Sequence, residues 1–264
     1  MRAAVLQLPS IGMSSTKLYH YIRIAHKKQI KLLLLGEYIL NPFFHELKSM
    51  PVSMIKEQGN HQMAVLKELS HQYDLTIVAP LVVIKRGKPY KMIVKVGPNS
   101  TSYYNQQVLI NYSHWNEEKF YANEIRPFES PMVFSVDGVR FAVMGGFELH
   151  FDLLWQKLLE KNIDCVLLPS VSTFESQQRW KKLVEMRAFT NNCYVLRANR
   201  IGEYQEGDYT WRFYGDSLLS SPDGEVEAHL GNSEELMIVE LDHGKVVQAR
   251  RSWGFKEAVH RRQS

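Results

Sequence analysis

Short apolar runs of strand length alternate along this chain with stretches whose apolar residues recur at helical spacing. MRAAVLQL (1–8), IKLLLLG (30–36), LTIVAPLVVIKRG (75–87), CVLLPS (165–170) and YVLRANRIG (194–202) read as buried strands. Ser14, Ser15 and Thr16 offer N-caps for a helix reaching about Lys28, and Asn60 to Tyr73 sets Met63, Val65, Leu66 and Leu69 on one helical face. DLLWQKLLEK (152–161) and ESQQRWKKLVEMRAFTNN (175–192) read as two further helices. In the second, Trp180, Leu183 and Arg187 fall at i, i+3 and i+7, so that face packs on a sheet and Trp180, Met186 and Ala188 are structural.

Turn chemistry marks the hairpins. KRGKPYKMIVKVG (85–97) folds back at a Gly-containing turn, PMVFSVDGVRFAVMGG (131–146) at Asp137-Gly138, and the segment after Asp208 at Asp223-Gly224. TSYYNQQVLI (101–110) follows the first hairpin as a strand, LMIVELD (236–242) is the last strand, and 246–264 is a basic, aromatic tail. From Gly138 to Gly202 the order is βαβαβ, and the first half repeats the αβ rhythm. The expectation is an α/β protein, with 1–264 forming a single domain.

Composition narrows the partners. With 264 residues, 45% of them apolar, the chain can bury a sizeable core. The net charge of +4 is scattered in pairs such as Lys181-Lys182 and Arg250-Arg251, which is a solvated surface rather than a nucleic-acid footprint. The longest apolar run near the N-terminus is too short for a bilayer span or a signal core, so no membrane is expected and the protein is placed in the cytoplasm. Cys165 and Cys193 both fall in buried strands, which argues against a disulfide framework. The ten histidines never take metal-ligand spacing, and neither a metal nor another cofactor is expected.

Chemistry gathers where apolar runs end. Glu37 follows the second strand directly, at the kind of strand edge where α/β folds collect their sites. FAVMGG leads into FELHF, CVLLPS ends on Ser170, and YVLRANRIG carries Asn199 and Gly202. Together with Trp180 and Met186-Arg187-Ala188, this order resembles the nitrilase superfamily of carbon-nitrogen hydrolases over nearly the whole chain. Gly215, Ser217, Pro222 and Gly224 are similar to that family's closing element.

The resemblance implies a nitrilase-like four-layer α-β-β-α sandwich that self-associates through its outer helices as a homodimer or larger. It gives Glu37 the general-base position. Gln106 takes the lysine position between Tyr104 and Leu109, and Gly146 takes the nucleophilic cysteine position. Glu117, with Glu118 as alternate, matches a second glutamate, although a charged surface loop fits the same residues. Glu148, His150 and Ser170 are binding candidates, and specificity is expected from the loops 41–56 and 111–126.

A thioester mechanism needs a thiolate, a base and a fixed cation. Glycine supplies no nucleophile, and glutamine supplies a dipole without a charge. Two functions follow. One is a pseudoenzyme that binds an amide- or carboxylate-bearing small molecule or acts as a regulator. The other is an active hydrolase of small amides or N-carbamoyl compounds with a rewired site, in which Glu37 and His150 activate water.

Overall fold

A computed structural model describes residues 1–173 and 175–263. In chain order the elements begin β1 (Arg2–Gln7), α1 (Thr16–Lys27), β2 (Leu32–Leu35), α2 (Phe44–Leu47), α3 (Val52–Tyr73), β3 (Thr76–Lys85), β4 (Lys88–Gly97) and β5 (Ser100–Asn105). They continue with β6 (Met132–Val136), β7 (Val139–Val143), α4 (Asp152–Gln156), β8 (Cys165–Pro169), α5 (Gln177–Asn191), β9 (Tyr194–Ala198), β10 (Ile201–Glu206) and β11 (Tyr209–Tyr214). The last are β12 (Leu218–Ser220), β13 (Val226–His229), β14 (Glu235–Glu240), α6 (His243–Trp253) and α7 (Phe255–Gln263).

Two six-stranded sheets carry the fold, in the orders β14-β1-β2-β3-β4-β5 and β13-β12-β9-β8-β7-β6. In each, three central strands run parallel and the flanking strands are antiparallel. The continuous apolar runs are explained by burial on both faces. Leu32 and Leu34 of β2 join the core between the sheets, together with Cys165 and Leu167 of β8. Leu33 and Leu35 face outward beneath α1 and α3. Val166 and Leu168 face outward beneath α4 and α5. The result is the mixed α/β four-layer sandwich.

Several boundaries differ from the sequence reading, each for a local reason. α3 starts at Val52, eight residues before the expected Asn60, and runs through Gly59. That glycine is a packing device: a β-carbon there would lie 2.8 Å from the carbonyl oxygen of Val82. Much of the expected loop 41–56 is therefore helical. DLLWQKLLEK is α4 followed by a separate 3-10 turn, Leu159–Lys161, and Asn162 then ends the segment in a left-handed conformation with φ 51°. Ser15 sits at the N-cap of α1 but its hydroxyl makes no capping bond.

The run 194–202 breaks at Asn199-Arg200, and β10 leaves the sheet to pair with β11 as a two-stranded ribbon. The basic tail contains α6 and α7, with Asp242 capping α6 by accepting from the Gly244 N–H; Ser264 lies outside the described residues. α5 packs on the second sheet through Val184 and Ala188, both fully buried, with Trp180 and Leu183, two of the expected contacts, half-buried beside them; Met186 is 52% exposed.

Candidate functional site

Glu37, Gln106, Gly146 and Ser170 each follow closely on a strand end, and the sandwich brings several of the expected site positions together. Gly36 lets this happen: a β-carbon on it would lie 2.8 Å from the carbonyl carbon of Asn199, so only glycine allows β2 to end against the turn after β9. Glu37 follows, its N–H donating to the Ser170 carbonyl at 3.0 Å. One carboxylate oxygen, Oε1, accepts from the Gly146 N–H at 3.3 Å, which joins the first expected pair.

The other oxygen meets a residue that the sequence reading overlooked. Lys91 of β4 sends its ammonium to Glu37 Oε2 at 2.6 Å and to Glu117 Oε1 at 2.7 Å. Glu117 also accepts from the Tyr38 hydroxyl at 2.6 Å and from the Ile110 N–H at 3.2 Å. Glu118, the alternate, is held elsewhere by Asn111. Glu37 and Lys91 are each 3% exposed and Glu117 is 0%, so the three form a sealed ionic group.

Burial raises the Glu37 carboxyl; Lys91 pulls it back and the Glu117 charge pushes it up again. For Lys91 burial opposes the ammonium, but Glu117 and then Glu37 outweigh it and hold the group above its ordinary value.

Gln106 lies next to this group without joining it. Its carboxamide donates to the Val108 carbonyl at 2.9 Å and packs where a Gly145 β-carbon would be, 2.6 Å from that position. Its backbone N–H, one residue beyond the end of β5, donates to the Lys91 carbonyl at 3.2 Å. The buried ammonium of the group is that of Lys91, on β4. A lone lysine inside the apolar run KMIV was the available signal, and only the β4–β5 register gives it meaning.

Gly146 opens a short 3-10 turn, Gly146–His150, after β7. A β-carbon on it would sit 2.6 Å from Ser170 Cβ and 2.9 Å from Ser170 Cα, closer than such atoms approach. The Ser170 hydroxyl, fully buried, donates to the Ala198 carbonyl at 3.1 Å and accepts from Arg197 Nε at 3.1 Å. Arg197 is also fully buried; it bonds the Ser172 hydroxyl at 2.7 Å, faces Asp216 at 3.5 Å and stacks over Trp180 at 4.9 Å.

Glu148 and His150 part company. Glu148 is buried and accepts from the N–H groups of Gly145, Gln107 and Val108 and from the Tyr104 hydroxyl. Burial pushes it up to about 7 against the pull of those donors. His150 is exposed, its Nδ1 bonded to the Phe147 carbonyl at 2.9 Å and its ring edge-on to Trp180. Neither His150 nitrogen bonds Glu148 or Glu37. Cys165 lies in β8, while Cys193, expected in a strand, sits in the bend just before β9; both are buried, and burial raises both thiols, Cys193 to about 12.

Beside the sealed group lies a cavity of about 500 Å³, lined in part by Trp115, Phe147, His150, Ser172, Arg179 and Trp180. An aromatic cluster of Tyr38, Phe43, Phe44, Trp115, Trp211 and Phe213 packs over the same end of the molecule. Among the described residues no cluster of His, Cys, Asp or Glu is placed to hold a metal, and no helix is long and apolar enough to cross a membrane.

Two stacked mixed sheets with helices outside, and buried acidic and basic groups at their strand ends, define a nitrilase-type sandwich. The model of the carbon-nitrogen hydrolase family matches residues 2–251, and the chain belongs to that family. It is 21% identical to the N-carbamoylputrescine amidase of Oryza sativa subsp. japonica, over 89% of this chain and 82% of that protein. It is 22% identical to a deaminated glutathione amidase from Synechocystis, over 70% of this chain and 71% of that one. A carbon-nitrogen hydrolase from Helicobacter pylori G27 superposes with a TM-score of 0.84 at 19% identity, over 97% of this chain and 94% of the other.

Proposed function

We propose that this chain is a carbon-nitrogen hydrolase homologue whose covalent chemistry is disabled, and that it works as a binding or regulatory protein for an amide- or carboxylate-bearing small molecule. The observation that carries this reading is the closure at Gly146, where no β-carbon fits against Ser170. A nucleophilic side chain is absent from that position, and the space for one is gone as well. Loss of a nucleophile costs on the order of 10⁶ in rate in a protease studied this way.

The other groups support the same reading. Lys91 replaces the charge that Gln106 lacks, so the cation is kept, but both oxygens of Glu37 are engaged, one by Lys91 and one by Gly146. With no nucleophile at Gly146, that base has no thiol proton to collect. The Ser170 hydroxyl is bonded to Ala198 and Arg197, with no base beside it, and the two thiols are buried. The rewired hydrolase needs His150 beside Glu37, and His150 is turned outward onto its own turn.

The test is turnover. Purified protein incubated with N-carbamoylputrescine, 2-oxoglutaramate and simple aliphatic amides is expected to release no ammonia above background, with or without prior thiol alkylation. Steady release that disappears in Glu37→Ala or His150→Ala would overturn the proposal in favour of a working hydrolase.

A further inference from the structure

The 500 Å³ cavity is asymmetric in charge. Among the described residues no carboxylate lines it, while Arg179 stands at its rim and His150 on its wall. Beneath its floor lies a second guanidinium: Arg197, fully buried, donates to the Ser172 hydroxyl at 2.7 Å, and Ser172 is itself only 3% exposed. A hydroxyl that accepts from a guanidinium is left to donate with its own proton, and the guanidinium strengthens that donation. Asp216 pairs with the far side of this guanidinium at 3.5 Å, and what reaches the cavity is the Ser172 hydroxyl, oriented by Arg197 to donate. α5 adds to the same polarity, since its first turn borders the cavity, contains no acidic residue and has no side-chain cap from Ser176.

The walls are of a different character. Trp180 presents one face to Arg197 and its edge region to His150, and Phe147, Tyr112 and Trp115 complete an aromatic slot. Flat apolar bodies are what such a slot accepts, and a volume of this size suits a molecule of small-metabolite or drug dimensions.

Resting on the reading that this site binds without turning over, we propose that the cavity takes a small monocarboxylate with a planar, apolar body. The carboxylate sits between Ser172 and Arg179, and the planar body lies in the slot against Trp180. The anion, rather than the amide, is the preferred form, because Arg179 lines the cavity, Ser172 is set to donate into it, and no carboxylate is among its described lining residues.

Phenylacetate and phenylacetamide, matched in shape and differing in charge, decide it. Both are titrated into the wild-type chain by calorimetry with tryptophan fluorescence as a second readout, and the phenylacetamide sample is assayed for ammonia afterwards. Phenylacetate is expected to bind at least roughly tenfold more tightly, and Arg179→Gln to weaken it roughly fivefold while leaving phenylacetamide unchanged. Ser172→Ala is expected to weaken it further. Should that variant fold poorly because Arg197 loses a partner, Arg179→Gln carries the comparison alone.

Equal binding of the two compounds, tighter binding of the amide, or no binding of either overturns the proposed carboxylate preference. Ammonia released from phenylacetamide instead overturns the non-hydrolytic reading, whichever compound binds better. The two failures are therefore distinguishable. Benzenesulfonate and inorganic phosphate form the remaining arms: sulfonate binding that matches phenylacetate keeps the anion site but removes its selectivity for carboxylates, and phosphate binding of equal strength overturns the role of the planar body.

Discussion

A β-carbon at Gly146 has no room because Ser170 Cβ already occupies its place, 2.6 Å away. The φ of Gly146 is not in the left-handed region, so the obstacle to a side chain is steric and not conformational. Gly146→Ala is therefore expected to cost about 1–3 kcal/mol in urea denaturation, the usual range for overpacking. Ser170→Gly in the same chain should return part of that loss, since it removes the opposing atom. An unchanged midpoint for Gly146→Ala alone would show that the turn yields and that the closure is not a real constraint. The same clash predicts that Gly146→Cys, even with Gln106→Lys, gains no turnover.

Between elements, the informative feature is the ladder of β4 and β5. Just past the end of that ladder the Gln106 N–H donates to the Lys91 carbonyl, and the Lys91 ammonium lies between Glu37 and Glu117. Buried ion groups are costly to assemble and costlier to break, because removing one member leaves the others without compensation. Lys91→Met is expected to destabilise the fold by about 3–5 kcal/mol, as a lost buried partner does. Adding Glu37→Gln should recover part of this, because one fewer carboxylate then lies uncompensated; a double-mutant cycle on unfolding free energies checks the coupling. Strict additivity of the two changes would contradict the ionic group described here.

At the scale of the molecule, Glu148 fastens the two sheets. It belongs to the turn after β7 in the second sheet and accepts from Gly145 there, yet it also accepts from Tyr104, Gln107 and Val108, in and just beyond β5 of the first sheet. Its folded value of about 7 lies above the 4.5 of a free glutamate. A carboxyl raised by folding binds its proton more tightly in the native state, so it favours folding below the unfolded value and loses that advantage as pH rises through the folded one. Stability is therefore expected to fall between about pH 4.5 and 7, and Glu37, also raised, acts in the same direction. Glu148→Gln should flatten this part of the profile in denaturation series taken across the window. A wild-type slope that survives the substitution would locate the titration in another group.

The order of elements was legible along the chain because buried parallel strands need continuous apolar runs and hairpins need glycine or aspartate at the turn, both local demands, while the four-layer sandwich was what the resemblance implied. Asp137 and Gly138, with φ of 47° and 77°, show how directly one such signal is met. The positions of Glu37, Gln106 and Gly146 came with the resemblance to the carbon-nitrogen hydrolases, whose motifs fall in register along this chain. Helix ends were less legible where tertiary contact overrode a local cue, as at Gly59, whose reason is the carbonyl of Val82. Three facts could come only from the folded chain: Lys91 between two glutamates, Ser170 filling the space at Gly146, and Arg197 beneath Ser172. Each depends on side chains from strands remote in sequence meeting at a fixed register, and in the linear pattern a buried cation is indistinguishable from an exposed one.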